Sequence, residues 1–207
     1  MLSSKTRLFD KAIELFSLHG YENVSINNIA NAAGLRGGSA FYNHYTGKEE
    51  LLTAIYDYYE AHYFANVKPL DEIRPILKTG TGEDIMGVLA WTFYGLPADM
   101  HRRMTLITKI VYARFLIDER ANNIFVEKMT VETIDDVILK LRELAGYGRL
   151  NNSVDLASFA EMMTYVGLMI GLVGVSSNYQ GGIVDDRRYL KKMLADYLAY
   201  NMFGAES

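Results

Sequence analysis

The stretch GLRGGSAFYNHYTGK, from Gly34 to Lys48, gathers groups that bind anions and polar edges without making or breaking bonds. Arg36 offers a forked donor that fits a phosphate or a guanine edge. Ser39 and Tyr42 bring hydroxyls, and Asn43 brings an amide that pairs with adenine in two bonds or contacts a nucleic-acid backbone. His44 can donate to a phosphate or pack under its own helix. Lys48 brings an ammonium to the first turn of the next helix, where free N–H groups also attract anions. Ser25, upstream, can cap a helix and touch the same ligand. Gly37 and Gly38 have two readings: close approach of the backbone to a ligand, or absorption of a tight turn.

The rest of the chain offers no rival chemistry. The four histidines, His19, His44, His62 and His101, lack an HExxH spacing, and there is no cysteine, so no metal site is expected. No GxSxG, P-loop or dinucleotide fingerprint is present, and no cofactor and no enzymatic activity are expected. Asp135-Asp136 and Asp185-Asp186 read as solvated pairs on helix surfaces or caps.

These side chains need a scaffold, and the spacing predicts one made of helices. Leu8, Phe9, Ala12, Ile13 and Phe16 share one face of a helix over about 5–19, which Gly20 ends. Ser25 caps a short second helix with Ile26, Ile29, Ala30 and Ala33 inside, ended by Gly34. A third helix is expected at about 38–44, with Phe41 and Tyr45 as core. A fourth starts at Thr46, where Thr46 and Glu49 make a capping-box pattern, and runs to about 66. Short helices with glycine turns suggest a helix-turn-helix unit, whose recognition helix enters a major groove about 12 Å wide.

Residues 67–82 hold two prolines and two glycines and read as a connection with a short helical piece. Longer amphipathic patterns predict helices at about 83–95, 99–118, 120–146, 153–178 and 186–203. No alternation of strand type appears. The fold class is therefore all-α: an N-terminal head at 1–47, a linking helix at 48–66, and a larger domain at 67–207. The first 48 residues carry a net charge of +2 within a chain of −4, a slightly basic end on an acidic body. No signal peptide is visible, and the uncharged stretch 162–184 turns polar after Val175, so a buried helix and a cytoplasmic protein without membrane contact are expected.

Residues 5–60 resemble the DNA-binding domain of the TetR family of bacterial transcriptional regulators. The resemblance rests on Ala12, Phe16, Gly20-Tyr21, Ser25-Ile26, Ile29-Ala30, Ala33-Gly34, Phe41-Tyr42, His44-Tyr45 and Lys48-Glu49-Glu50-Leu51 in order, over about a quarter of the chain. It implies a homodimer that binds a partly palindromic double-stranded DNA operator and releases it when a small molecule occupies the C-terminal domain. It also implies DNA contacts from Ser25, Arg36, Gly37, Gly38, Ser39, Tyr42, Asn43, His44 and Lys48, with Tyr42 at the family's typical phosphate-contacting aromatic position. One departure stands out: GLRGGSAF places eight residues between Ala33 and Tyr42, where family members usually have seven.

Aromatics and methionines of the C-terminal part serve a core or an adaptable apolar pocket. Trp91, Tyr94, His101, Met104, Tyr112, Phe115, Met162, Tyr165 and Met169 are the candidate ligand residues, with His101, Arg102 and Arg103 able to orient a polar group. Gly167-x-x-x-Gly171 suits close packing between subunits, so the dimer is expected through helices at about 153–178 and 186–203. Two other readings differ in kind: a helical enzyme using the C-terminal cavity, and a membrane-associated adaptor built on 162–184.

Overall fold

The computed structural model describes residues 2–63, 67–89, 98–150 and 154–176. Every regular element among them is helical, so the all-α expectation holds. The chain forms two compact units, Met1–Tyr63 with Pro97–Phe125, and Phe64–Leu96 with Val126–Ser207. Neither unit is one continuous stretch.

In the first unit, α1 (Ser4–His19) begins at Ser3, whose Oγ accepts the Thr6 N–H at 3.1 Å. Leu8, Ala12, Ile13 and Phe16 form its buried stripe. It stops at Gly20, where φ is +79° and the N–H returns to the Phe16 carbonyl. The helix α2 (Ile26–Ala32) carries the expected Ser25 cap. Ser25 Oγ accepts the Asn28 N–H at 3.1 Å, and Asn28 Oδ1 accepts the Ser25 N–H at 2.9 Å, so both ends of a capping box are made.

Two expectations are corrected here. The third helix does not form over 38–44: a single 3-10 turn covers Gly38–Ala40, and successive turns follow. Two of its hydrogen bonds, Phe41 N–H to Gly38 O and His44 N–H to Phe41 O, span three residues, and a single four-residue bond, Tyr45 N–H to Phe41 O, closes the stretch. Two glycines at the start leave too little helix propensity to nucleate a full α-turn. The next helix, α3 (Lys48–Tyr63), starts two residues later than Thr46. The Gly47 carbonyl accepts its first intrahelical bond, from Leu51, which makes Gly47 the cap. The acid three residues past that cap is Glu50, and it, not Glu49, receives the Thr46 N–H at 2.5 Å and the Thr46 hydroxyl at 2.8 Å.

Residues Ala98–Arg114 form α6, which packs on α1 and α3. The Tyr59 and Thr108 hydroxyls lie 2.9 Å apart in that contact. Asp118 then caps α7 (Glu119–Asn123) through the Ala121 N–H at 3.0 Å.

The second unit holds α4 (Leu70–Thr79), α5 (Gly82–Leu89), α8 (Glu132–Gly146) and α9 (Leu156–Ser176). Ile73, Leu77, Ile85, Val137, Leu141, Leu144, Phe159 and Ala160 are the heart of its apolar core. Arg149 ties the exit of α8 to the end of α4, donating to the Leu77 carbonyl at 3.2 Å and the Gly80 carbonyl at 2.7 Å. Lys140 is buried beside this core, its ammonium 2.5 Å from Asp136 and 3.3 Å from the Val88 carbonyl. The helix expected at 120–146 is three pieces: α7, a π-helical run at Ile124–Val131, and α8. Of the helix expected at 83–95, residues through Leu89 are described; the one at 186–203 lies outside the described residues. Among the described residues, no helix is long and apolar enough to cross a membrane.

Candidate nucleic-acid interface

The head is built so that its apolar groups face inward and its amides, hydroxyls and arginine face out. Ile29, Ala30, Ala33, Phe41 and Tyr45 are buried, and Phe41 packs on Tyr45 with ring centroids 5.7 Å apart. Phe41 and Tyr45 are therefore core, as their apolar character suggests. Between and around them, Arg36, Ser39, Tyr42 and Asn43 are all exposed. Tyr42 is 59% exposed, high for a tyrosine, and its ring meets Phe41 edge-on at 5.7 Å. His44 is half-buried.

The glycines divide in role. Gly37 has φ +77°, a left-handed conformation that a side chain strains, and nothing stands within 4 Å of where its Cβ would be. The turn alone demands glycine there. At Gly38 a Cβ would come within 2.5 Å of Asn27 Oδ1, so the reading turn and the N-terminal end of α2 approach closely.

Two of the expected contacts have other partners. The Ser25 hydroxyl donates to Asn28 Oδ1 at 2.6 Å while accepting the Asn28 N–H, so it is committed to the cap. The Lys48 ammonium donates to the Tyr21 carbonyl at 2.8 Å and the Val24 carbonyl at 3.0 Å. It also sits 4.1 Å from the centre of the Tyr21 ring, and Arg114 sits 4.4 Å from the same centre. Lys48 therefore braces the turn between α1 and α2.

Three exposed amides went unnamed in the sequence reading: Asn27, Asn28 and Asn31 on α2. The signal was their place opposite buried Ile29 and Ala30 on a short helix next to a glycine turn. Arg114, a largely buried guanidinium, also serves the head. It donates to Asp118 at 3.1 Å and to Glu22 at 3.1 Å, and so fixes the same turn that Lys48 holds.

The candidate ligand residues fall in both units. Met104 is buried on α6; Tyr112 and Phe115 gather around Phe125, at 5.6 and 4.6 Å between ring centres. Burial pushes the Tyr112 hydroxyl up to about 12, as an apolar setting does. Met162 and Tyr165 are exposed on α9. Trp91 and Tyr94 lie outside the described residues, as do the side chains of His101 and Met169. Among the described residues no cluster of His, Cys, Asp or Glu is arranged to hold a metal ion.

Comparison with known proteins agrees with this anatomy. The chain is similar over 96% of its length, and of the other chain's, to a structure described as a transcriptional regulator from Saccharomonospora viridis in complex with choline, at 13% identity and TM-score 0.66. It is likewise similar to the ketosteroid transcriptional regulator KstR2 of Mycobacterium tuberculosis, at 16% identity and TM-score 0.62, over 98% of this chain and 96% of that one. A fatty acid degradation regulator from Bacillus halodurans aligns over 94% and 96% of the two chains, with 16% identity and TM-score 0.59. These likenesses establish a shared fold. No protein of curated function matches the sequence. Residues 8–55 match the bacterial regulatory proteins of the tetR family. That match falls on the elements that carry the exposed amides, Arg36 and Tyr42, so residues 8–55 form a DNA-binding head of the tetR family of bacterial regulatory proteins.

Proposed function

We propose that the protein is a dimeric repressor that leaves a palindromic operator when a small, mainly hydrophobic molecule binds its C-terminal part. The observation that carries the reading is the exposed Arg36, Ser39, Tyr42 and Asn43 set over a closed core of Phe41, Tyr45 and Ile29. Arg36 and Asn43 read base edges, while Tyr42, Ser39 and the Gly37–Gly38 backbone meet phosphates. His44 supports that turn from its half-buried position. Ser25 and Lys48 keep a secondary part in DNA contact through the elements they fix. Dimerisation runs through about 153–178 and 186–203, which the exposed Met162 and Tyr165 on α9 favour. In a symmetric dimer the two heads meet successive major grooves about 34 Å apart, so a rigid-body change in their spacing releases DNA. Met104, Tyr112 and Phe115 are the proposed effector contacts of the first unit, and Trp91, Tyr94, His101, Met162, Tyr165 and Met169 are proposed from their residue types alone. The similar regulator from Saccharomonospora viridis holds choline, which supports a small-molecule effector for this chain.

Selection of bound fragments from the source genome by the purified protein, at two salt concentrations, tests the reading. A palindromic site whose affinity falls steeply with salt is expected, because bound phosphates release counterions. Arg36→Ala on that site is expected to cost about 1–3 kcal/mol and to relax specificity at one base pair. Absence of any enriched site at either salt would overturn it.

A further inference from the structure

The first unit also holds a cleft whose lining includes none of the exposed Arg36, Ser39, Tyr42 and Asn43. The cleft, of about 380 Å³, opens between α1, the end of α2 at Ala32, and α6. Its size falls in the range of small-molecule sites, roughly 300–1,000 Å³. Its charged wall consists of Arg7, Lys11, Arg102 and Arg103 against Asp10 and Glu14. That is an excess of two positive charges inside a chain whose net charge is −4.

The pairings leave this excess concentrated. Lys11 and Arg102 share Glu14, at 2.6 and 3.2 Å. Arg103 Nη2 faces Asp10 Oδ1 at 2.9 Å, an ion pair without an aligned hydrogen bond. Arg7 has no carboxylate partner among the described residues: its Nη2 donates to Ser4 Oγ at 3.2 Å, and its buried Nε has no acceptor. A buried guanidinium N–H without an acceptor is costly, and a ligand oxygen would satisfy it. Arg102 is 71% exposed at the mouth, and Lys11 alone can hold Glu14 when Arg102 turns to an arriving anion.

We propose that this cleft binds a small oxyanion of charge near −2, a dicarboxylate or a phosphate monoester, held by Arg7, Arg102 and Lys11. Arg102 and Arg103, expected from sequence to orient a polar group of the effector, line this cleft instead, and the proposal does not depend on an apolar pocket. Fork-shaped guanidinium donors match both oxyanion types, which is why the ligand class is set by charge and size.

Thermal unfolding and calorimetric titration of the full chain test it, with succinate and glycerol phosphate each compared with chloride and with uncharged succinamide at equal ionic strength. At least one of the two anions is expected to raise the melting temperature and to titrate to one site per chain; which one does so separates dicarboxylate from phosphate. Arg7→Gln and, as the variant certain to leave the core intact, Arg102→Gln are each expected to weaken that binding about tenfold or more, the loss expected for one charge-assisted hydrogen bond. Arg36→Gln, on the reading surface, is expected to leave the shift in place. Three results would overturn the proposal: no stabilisation beyond chloride by either anion, equal stabilisation in the Arg7 and Arg102 variants, or loss of the shift in the Arg36 variant alone. The readout needs no DNA, so it fails or succeeds independently of the repressor reading.

Discussion

At the scale of single residues, the two adjacent glycines of the reading turn make a sharp contrast. Gly37 sits at φ +77° with open space around it, so Gly37→Ala pays only for backbone conformation, about 1–2 kcal/mol, seen as a lowered denaturant midpoint. Gly38 lacks the positive φ, and its added Cβ would displace the exposed Asn27 side chain. Gly38→Ala is therefore expected to stay within about 0.5 kcal/mol in stability yet to weaken DNA binding, because it moves an amide on the reading rim. Equal stability losses in the two variants would contradict this division. The sequence displayed the outline of this site well: Phe41 and Tyr45 as core against exposed Tyr42 and Asn43 follow from residue type within a short motif. Lys48 was not legible, because the carbonyls it holds, at Tyr21 and Val24, lie more than twenty residues earlier in the chain. Asn27 was equally hidden, since only the folded turn brings it against Gly38.

At the scale of elements, the turn between α1 and α2 is held from outside by charged groups, and two measurements probe it. If Lys48 is a brace, Lys48→Met lowers stability by about 1–2 kcal/mol, the order of hydrogen bonds to a charged donor at a half-exposed site, and leaves the salt slope of DNA binding unchanged. If it mainly neutralises a phosphate, the slope falls by about one instead. Asp118 is the second probe. Burial alone would raise its pKa, but the Ala121 N–H and the Arg114 guanidinium outweigh burial and hold it below the usual aspartate value. A carboxyl with a lowered folded pKa stabilises the fold above its unfolded value, near pH 4, and that contribution disappears as pH falls through the folded pKa. Asp118→Asn is thus expected to melt below the parent protein at neutral pH, with the gap closing under acid conditions; a gap constant with pH would rule out this source. Helix positions were largely legible, since amphipathic spacing marks α1, α2 and α6 directly. The π-helical run at Ile124–Val131 was not, because its one-residue surplus per turn leaves no mark in hydrophobic periodicity.

At the scale of the whole molecule, the head is not self-sufficient in sequence. The matched residues 8–55 end inside α3, yet the compact unit that contains them recruits Pro97–Phe125 as well. The helix α6 lies on α1 and α3, with Met104, Ile107, Ile110 and Val111 all buried, and with Arg103 ion-paired to Asp10 and donating to the Tyr58 hydroxyl. No local pattern in 1–66 announces this dependence, because packing between segments 45 to 88 residues apart leaves no trace in either one alone. Each buried aliphatic side chain contributes about 1.5–3 kcal/mol, so losing the surface that α6 covers removes a sum comparable with the whole stability of a small domain, about 5–15 kcal/mol. A fragment of residues 1–66 is therefore expected to show helical circular dichroism without a cooperative melt and to bind DNA weakly or not at all. Adding a peptide of residues 97–125 in trans is expected to restore a sigmoidal transition at a concentration-dependent temperature, as binding linkage requires. A fragment 1–66 that melts cooperatively alone would show instead that α6 rests on a head already complete, and the route from effector to operator would then have to enter through α3.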